Sequence, residues 1–379
     1  MTLLLVGSAI ALLAWLGLLL SPHQPHRARE RLEADPSAGD DLRAVTVLVP
    51  ARDEAELIGR TIAALGAQGR GLDVVVIDDQ SSDDTRGVAA RAAGPHLTLR
   101  VLEGRPLPQG WAGKLWALEQ GLAIVGRPYV LLLDADIELG AGLVPALLAA
   151  ARERDATLVS VLAELRCATF WERLLSPAFV FFFKLLYPFA WSNDARKATA
   201  AAAGGCMLVR TAALRDIGGF AAIRGALIDD CTLAAALKRA QPPIWVGMSH
   251  SVRSLRVYGA LGDFWRMVSR SAFTQLRYST GWLLVATSLM AVTLLAPVAG
   301  IVVAGIAAEP RLALTAGAAW LAMAAAYWPV VSFYRLPAAW ALTLPIAAAL
   351  FLAMTWSSAL GYWRGTRASW KARDYGRSA

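Results

Sequence analysis

The stretch VVVIDDQSSDDT, residues 74–85, and the stretch YVLLLDAD, residues 129–136, each join a short apolar run to a pair of aspartates. Apolar runs of this length that end in turn-forming residues are typical of strands buried on both faces of a sheet. Helix-like stretches around 84–92, 113–124 and 141–153 lie between these runs and others like them. The alternation predicts an α/β fold in which helices cover both faces of a mostly parallel sheet.

Further apolar runs extend this pattern along the chain. The additional predicted strands are Val45–Val49, which ends at Pro50, Leu97–Leu102, Leu158–Leu162 and Cys206–Val209. After the first of them, Asp53 and Glu56 fit the first turn of a helix in a D-x-x-E variant of the capping box. Most charged residues lie within 21–281, which is long enough for one sizeable domain.

The predicted sheet carries acidic side chains at the ends of two strands. Asp78 and Asp79 follow one strand, and Asp134 and Asp136 follow another. Because ligands of open α/β sheets bind beyond the carboxyl ends of the strands, we expect these acids to line a binding cleft. Converging carboxylates repel one another unless a cation joins them, and hard oxygen ligands suit Mg²⁺ or Mn²⁺. Such an ion would also neutralise a diphosphate as a Lewis acid.

A third acid pair, Asp229-Asp230, opens a helix-like stretch that ends near Arg239. Each acid set also has a purely structural interpretation. Asp229 and Asp230 would complement the macrodipole of their helix, and Asp78 would be a buried acid that accepts backbone N–H bonds. A D-x-D sequence alone often caps the next helix. The three sets in order on an alternating pattern favour a metal and nucleotide site.

Composition limits the class of protein. The 379 residues are 56% hydrophobic and 17% charged with a formal net charge of +8, which excludes a disordered chain. Cys167, Cys206 and Cys231 form no CxxC pair and are odd in number, so a disulfide scaffold is excluded and reduced thiols in the cytoplasm are expected. No nucleic-acid-binding motif accompanies the basic surplus, so no nucleic-acid partner is expected.

Long apolar stretches flank the α/β region. The run from Thr2 to Leu20 can span a bilayer, and no cleavage site typical of a signal peptide follows it. Arg27, Arg29 and Arg31 come next, so the positive-inside rule places the chain from residue 21 onward in the cytoplasm. Three more predicted membrane segments cover about 282–308, 312–334 and 338–360.

The C-terminal tail is basic and follows the last of these segments. Three crossings after residue 281 would place it outside, so either one stretch does not fully cross or the tail breaks the charge rule. We expect anionic lipid head groups to be the partner of the tail. Its cations are Arg364, Arg367, Lys371, Arg373 and Arg377.

The apolar run 178–187 is too short to span a bilayer. It is either a buried core helix or a segment in the membrane interface. Trp171, Tyr187 and Trp191 flank it, and such rings favour the head-group level, so we predict an interfacial segment near 171–191. The predicted regions are a membrane anchor at 1–20, a linker at 21–42, the α/β domain at 43–281, membrane helices at 282–360 and the basic tail at 361–379.

Short motifs occur in a recognisable order along residues 45–280. They are PARDE at 50–54, VIDDQSSD at 76–83, GK at 113–114, LDAD at 133–136 and DDCTL at 229–233. In this order they resemble the motifs of family 2 glycosyltransferases, which have the GT-A fold. The segments GWAGKLWA at 110–117 and RSAFTQLR at 270–277 further resemble the hopene-associated glycosyltransferases of bacteria, which are related to ceramide glucosyltransferases.

The resemblance implies a role for residues of the donor side. Pro50, Arg52 and Glu54 match a loop that contacts the nucleotide. Asp79, with Asp78 beside it, matches the acid that binds the uracil edge.

The same resemblance covers the acids nearer the reaction. Lys114 matches a position where a cation could meet phosphate, and its alternative is a solvated lysine. Asp134 and Asp136 match the motif that binds the metal and the diphosphate. Asp230 matches the general base, and Asp229 stands where relatives usually have glutamate.

Matches are looser at three other places. The segment GGCM at 204–207, with Gly205 and Cys206, matches the acceptor side, although it would equally serve as a tight turn into a strand. His250 is either a further metal ligand, as in some GT-A enzymes, or an ordinary polar histidine.

The motif Q-x-x-R-W, which relatives often carry near the membrane, is reduced to the arginine of MVSRS at 267–271. Arg270 would then hold the diphosphate, with Arg266, Gln275 and Arg277 as alternates. The missing glutamine and tryptophan argue against a processive polysaccharide synthase.

Taken together, the resemblance implies a membrane-bound inverting transferase that moves a sugar from a UDP-sugar to a lipid hydroxyl at the cytoplasmic face of the bacterial inner membrane. A hopanoid or triterpenoid acceptor is implied by the subgroup, and a sphingolipid-like or polyprenyl-phosphate acceptor stays open. A membrane-bound nucleotidyltransferase is the first alternative, although only Arg52 supplies the basic residue it needs near the first strand. A domain that binds and regulates without catalysis is the second, and Asp230 argues against it.

Overall fold

The computed structural model describes residues 1–94, 97–365, 369–370 and 373–374. Its residues group into two compact units. The sheet unit contains Arg29–Leu165 and Phe189–Val257, and the helical unit contains Met1–Ala28, Arg166–Pro188 and the chain from Tyr258 through the last helix. Arg367, Lys371 and Arg377 of the basic tail lie outside the described residues.

The helices and strands alternate in the first two thirds of the chain. In chain order the helices are α1 (Thr2–Leu20), α2 (Ile58–Gly66), α3 (Thr85–Ala92), α4 (Gly113–Leu122), α5 (Leu143–Glu153), α6 (Phe170–Leu186), α7 (Phe189–Ser192), α8 (Thr211–Asp216), α9 (Asp229–Ala240), α10 (Leu261–Ser269), α11 (Ala272–Gln275), α12 (Thr280–Met290), α13 (Ala296–Ala307), α14 (Pro310–Phe333) and α15 (Leu344–Trp363). The strands are β1 (Val45–Ala51), β2 (Asp73–Asp78), β3 (Thr98–Glu103), β4 (Tyr129–Leu133), β5 (Ile137–Leu139), β6 (Leu158–Glu164), β7 (Cys206–Arg210), β8 (Ile244–Ser254), β9 (Ser369–Trp370) and β10 (Arg373–Asp374).

Eight of these strands form one mixed sheet in the order β3-β2-β1-β4-β7-β6-β8-β5. The neighbours from β3 to β4 are all parallel, as are β6 and β8. Strand β7 runs antiparallel to both β4 and β6, and β5 runs antiparallel to β8. The predicted α/β class with a mostly parallel sheet is therefore confirmed.

Alternate residues of the central strands pack against helices on opposite faces of the sheet, as a period of two requires. Val47 and Val49 of β1 belong to the hydrophobic core that includes Ile62 of α2. Leu48, between them, belongs to the core that includes Leu118 of α4. Burial of each such side chain contributes about 1.5–3 kcal/mol, which explains why β1 is apolar at every position except Thr46.

The predicted capping box after β1 is wrong. Helix α2 begins at Ile58 without a side-chain cap, and Asp53 has a positive φ of 50°. The Asp53 carboxylate instead accepts a hydrogen bond of 2.7 Å from the backbone N–H of Ser82, in the loop after β2. The Asp53 carboxylate therefore joins two loops instead of capping α2, because it bonds to the Ser82 N–H and not to the helix.

Among the described residues, four helical segments are long and apolar enough to cross a membrane. They are Thr2–Leu20, Thr280–Ala307, Pro310–Phe333 and Ala338–Trp363, close to the predicted spans. A π-helical turn at Ala291–Leu295 separates α12 from α13, just before Pro297. Such a turn accommodates the helical hydrogen bond that is lost because proline has no backbone N–H.

Helix α6 contains the apolar run for which an interfacial position was predicted. It begins with a capping box formed by Thr169 and Glu172. Phe181 is fully buried within the helical unit, with its ring centroid 5.1 Å from that of Tyr327 on α14. The side chain of Phe170, at the start of the helix, is 60% exposed. One face of α6 is therefore core, and its depth in a bilayer stays a prediction.

Candidate active site

The carboxyl ends of β1, β2 and β4 bring acidic side chains to one edge of the sheet. These three strands are adjacent and parallel, so the loops that follow them leave the sheet on the same side. Glu54 follows β1, Asp79 follows β2, and Asp134 follows β4. The arrangement is the one in which open α/β sheets bind ligands.

The loops after β1 and β2 are fastened to each other. Arg52 donates from Nη1 to the backbone oxygen of Asp79 at 2.6 Å. The N–H of Asp79 donates to the backbone oxygen of Ala51 at 2.7 Å, and the N–H of Asp53 donates to Ser81 Oγ at 3.0 Å. Arg52 therefore shapes this corner of the cleft from within, while Pro50 is buried in β1 opposite Ile77.

Asp78 ends β2 and is fully buried. Within the described residues neither of its carboxylate oxygens has a hydrogen-bond partner, and Arg86 Nε lies 3.3 Å from Oδ2. The structural alternative, an acid that accepts backbone N–H bonds, therefore does not describe it. A buried carboxylate without hydrogen bonds is costly, and the positive charge of Arg86 offsets part of that cost.

Lys114, in the first turn of α4, joins two of the predicted acid motifs. Its Nζ lies 2.8 Å from Asp134 Oδ1 and 3.3 Å from Asp229 Oδ2. Its side chain is only 19% exposed, so it is not the solvated lysine of the alternative interpretation. Burial acts to lower the pKa of Lys114, but Asp134 and Asp229 outweigh it and hold that pKa above its usual range.

The environment of Asp134 disfavours the ionised form of its carboxyl group. Burial, together with repulsion from Asp136, raises the pKa of Asp134 to about 6, although Lys114 acts in the opposite direction. The backbone N–H of Asp134 donates to the oxygen of Gly205 at 3.2 Å, which fixes the start of this turn against the loop before β7. The cluster thus holds excess negative charge that a further cation would stabilise.

Arg256 connects Asp136 to the loop after β1. Its Nε lies 2.7 Å from Asp136 Oδ2, and its Nη2 lies 2.7 Å from Glu54 Oε1. The two carboxylates raise the pKa of Arg256 above its ordinary value against the effect of burial. The backbone N–H of Leu255 also donates to the oxygen of Asp136 at 2.8 Å, so the end of β8 is attached to this motif twice.

Asp230, in the first turn of α9, is held by main-chain groups. Its Oδ2 accepts from the N–H of Gly204 at 3.0 Å, and its Oδ1 accepts from the N–H of Cys231 at 2.7 Å. Burial, followed by repulsion from Asp229, raises the pKa of Asp230 to about 6, while these N–H groups and Lys114 limit the rise. An acid with this pKa is suited to proton transfer near neutral pH.

Space beside this carboxylate is short, which favours glycine at position 204. A Cβ at Gly204 would lie 3.3 Å from Lys114 Nζ and 3.5 Å from Asp230 Oδ2. The next residues enter β7, where Cys206 pairs with Leu133 of β4. Burial raises the pKa of the Cys206 thiol to about 12, so this cysteine is packing material beside the cleft and not a nucleophile.

Two predicted site residues lie apart from these contacts. His250 Nδ1 is 3.3 Å from Glu164 Oε2, and the histidine lines a cavity of about 290 Å³ together with Glu138, Ser251 and Arg253. Arg270 follows α10 in the helical unit.

Two of the three alternates of Arg270 have side-chain partners within the helical unit. Arg266 lies 2.6 Å from Asp263, and Gln275 donates to the Tyr187 hydroxyl at 2.7 Å.

The donor chemistry of the D-x-D motif fits the predicted Mg²⁺ or Mn²⁺. Asp134 and Asp136 supply carboxylate oxygens, which such ions prefer, in a region of excess negative charge. Within the described residues, no three His, Cys, Asp or Glu side chains are grouped as ligands of one ion, and His250 does not join the two aspartates in such a group. Lys114 and Arg256 contact the aspartate oxygens that an ion would use.

Sequence reasoning missed Arg256. Its acidic partners are 120 and 202 residues away in the chain, and the strand before it, β8, was not among the predicted strands. The available signal was its position just after a strand of the same sheet, where a basic side chain can reach the acids of the other strand ends.

Comparisons with known proteins agree with this geometry. Residues 46–218 match the model of the family described as Glycosyl transferase family 2. An uncharacterized glycosyltransferase of Mycobacterium tuberculosis is 38% identical over 112 residues, which cover 30% of this chain and 44% of the relative. The 4,4'-diaponeurosporenoate glycosyltransferase of Staphylococcus haemolyticus is 26% identical over 122 residues, 32% of each chain.

Another relative is the undecaprenyl-phosphate 4-deoxy-4-formamido-L-arabinose transferase of Klebsiella pneumoniae, 32% identical over 119 residues that cover 30% of this chain and 35% of the relative. The chain therefore spans less than half the length of these curated relatives. A solved mannosyltransferase from Pyrobaculum calidifontis, in complex with GDP-Man and Mn²⁺, shares the fold with a TM-score of 0.53 and 21% identity, over 94% of this chain and 99% of that one. Residues 46–218 thus match a glycosyltransferase family 2 domain, and the fold is GT-A-like.

Proposed function

We propose that this protein is a membrane-bound inverting glycosyltransferase that moves a sugar from a nucleoside diphosphate sugar, in the first instance a UDP-sugar, to a hydroxyl of a lipid. The observation that carries the proposal is the meeting of Asp134, Asp229 and Lys114 beside the fixed carboxylate of Asp230. A donor-binding motif and an acid able to accept a proton thus lie in one cleft.

Asp230 acts as the general base in this proposal. Its carboxylate accepts the proton of the acceptor hydroxyl, whose oxygen forms a bond to the anomeric carbon as the bond to the diphosphate breaks. One displacement inverts the anomeric configuration. The N–H groups of Gly204 and Cys231 orient the carboxylate and leave it ionised above a pH of about 6.

The donor side is assigned to the remaining residues. Asp78 and Asp79 face the base of the nucleotide, and Arg52 and Glu54 form the loop beside it. Lys114 lies where it can turn from Asp134 to the departing diphosphate.

When bound, Mg²⁺ or Mn²⁺ would be held by Asp134 and Asp136 and would supply Lewis-acid stabilisation of the diphosphate. Arg270 of the helical unit is proposed as a further diphosphate contact, and Gly205 and Cys206 as the wall on the acceptor side.

A lipid acceptor is supported by the four apolar helices, which by length and composition can place the domain at a membrane. Two relatives carry names of lipid-like acceptors, diaponeurosporenoate and undecaprenyl phosphate. Within this class we propose a hopanoid or triterpenoid acceptor at the cytoplasmic face of a bacterial inner membrane.

The test is incubation of the purified full chain with Mn²⁺, bacterial lipid extract and one radiolabelled donor at a time. The donors are UDP-glucose, UDP-N-acetylglucosamine, UDP-galactose and GDP-mannose, and the extracts come with and without hopanoids. The expected result is labelled lipid from a UDP-sugar, with release of UDP and with inverted configuration. Release of pyrophosphate from an added nucleoside triphosphate, without sugar transfer, would indicate a nucleotidyltransferase, and binding of the donors without turnover would indicate a regulatory domain. Either outcome contradicts the proposal.

A further inference from the structure

Each acid of the D-x-D motif is already paired with a cationic side chain of the same chain. Lys114 holds Asp134 at 2.8 Å, and Arg256 holds Asp136 at 2.7 Å. These are the carboxylates that the proposed function assigns to a divalent cation. The internal cations and a metal ion therefore compete for the same oxygens.

Arg256 differs from Lys114 because it bridges two acids from different strand ends. Its guanidinium reaches Asp136 after β4 and Glu54 after β1, both at 2.7 Å. The side chains of Glu54 and Asp136 are 10% and 16% exposed, so their charges are largely removed from solvent. One guanidinium is thus shared by two nearly buried carboxylates, and its removal would take a positive charge away from both.

A diphosphate offers a guanidinium the same kind of acceptor that it has here. Arginine donates in a planar fork that fits carboxylate and phosphate oxygens equally well. The side chain of Arg256 is 33% exposed, so it can change partners without displacing buried side chains.

We propose that Arg256 is a built-in counter-ion that blocks the divalent-cation site until a nucleoside diphosphate arrives. The diphosphate takes the guanidinium from Asp136, and the freed carboxylate then becomes a metal ligand. The cation consequently binds weakly alone and tightly together with the nucleotide. This inference rests on the proposed function for the assignment of Asp136 to the metal.

The experiment measures binding of Mn²⁺ alone to the full chain in detergent, from the electron paramagnetic resonance signal of the free ion. Arg256→Gln is expected to bind Mn²⁺ at least about tenfold more tightly than the native protein, because Asp136 loses the guanidinium that competes with the ion. Arg253→Gln is the matched control, since Arg253 is exposed on β8 and pairs in register with Glu138. Its Mn²⁺ affinity should equal the native value. Asp136→Asn added to Arg256→Gln should abolish the gain.

A second titration adds UDP or GDP, with the signal of the Mn²⁺–nucleotide complex in buffer subtracted. The native protein should gain at least about tenfold in Mn²⁺ affinity, and Arg256→Gln should gain much less. Arg256→Lys, with a single point charge, should bind Mn²⁺ alone with intermediate affinity and serves as the test if Arg256→Gln does not fold.

An Mn²⁺ affinity in Arg256→Gln or Arg256→Lys no higher than in the native protein would overturn the inference. The same holds if the native protein binds Mn²⁺ equally well with and without nucleotide. No sugar or lipid is needed, so failure to find a transfer reaction would contradict the proposed function while leaving this measurement to decide the role of Arg256.

Discussion

The D-x-D turn after β4 and the first turn of α9 hold their carboxylates in different ways. Asp134 and Asp136 are countered by the side chains of Lys114 and Arg256, which can move. Asp230 is held by the main-chain N–H groups of neighbouring residues, which cannot. In the proposed function this difference separates two tasks: the first region can exchange partners when a charged ligand binds, and the second keeps the proposed base in one orientation.

The largest effect is expected for the fixed region. Asp230→Asn should lower the rate of sugar transfer by about 10³-fold, because the amide keeps an oxygen for the Gly204 N–H but cannot accept a proton. Initial rates of labelled lipid formation measure the loss, and binding of the nucleotide donor should stay unchanged. A variant with native transfer rates would remove Asp230 from the role of base.

The next effect concerns the exchangeable region. Lys114→Met should lower the transfer rate by about 100-fold, because the acid cluster loses the cation that faces the diphosphate. Lys114→Arg keeps the charge and is the control, with a smaller loss expected. Melting temperatures of both variants distinguish lost chemistry from lost folding. Equal rates for Met and Arg would show that the charge at this position plays no part.

The pH dependence of kcat/KM should reflect the electrostatic effect of Lys114, in the first region, on Asp230, in the second. Asp230 has a raised pKa of about 6, so it takes up a proton as the pH falls through that value and can no longer act as a base. kcat/KM should therefore fall about tenfold per pH unit below pH 6 and be level above it. Because Lys114 lowers the pKa of Asp230, Lys114→Met should move this limb to higher pH. An unchanged limb would contradict the electrostatic link.

The smallest effect is steric. Gly204→Ala places a Cβ 3.3 Å from Lys114 Nζ and 3.5 Å from Asp230 Oδ2, so transfer should fall by a few-fold, roughly 1 kcal/mol of activation free energy. Gly66→Ala is the control, since a Cβ there meets no atom within 4 Å. Equal transfer rates in the two variants would mean that Lys114 and Asp230 can shift away from the added Cβ without loss of activity.

Much of the fold could be predicted because its signal is local. Strand β4 occupies the predicted residues, and the four spans match long apolar stretches, since burial in a sheet or a membrane requires continuous hydrophobicity. The cap after β1 could not be predicted from spacing, because Asp53 bonds to a loop 29 residues further along the chain.

The site was predicted where a strand end fixes a side chain and missed where a distant partner does. Asp78, Asp134 and Asp230 were found from their position after strands or at a helix start. Arg256 was not, because its contacts are with acids that only folding brings within 2.7 Å. The contacts of Lys114 with both Asp134 and Asp229 could likewise not be predicted from the spacing of the motifs.

The most direct test of the account is an experimental structure of the full chain with UDP and Mn²⁺. It should place the base of the nucleotide at Asp78 and Asp79, the ion on Asp136 and the phosphates, and Asp230 on the open side of the same cleft. A nucleotide bound elsewhere, or an Asp230 carboxylate that faces a different cavity from the phosphates, would contradict it.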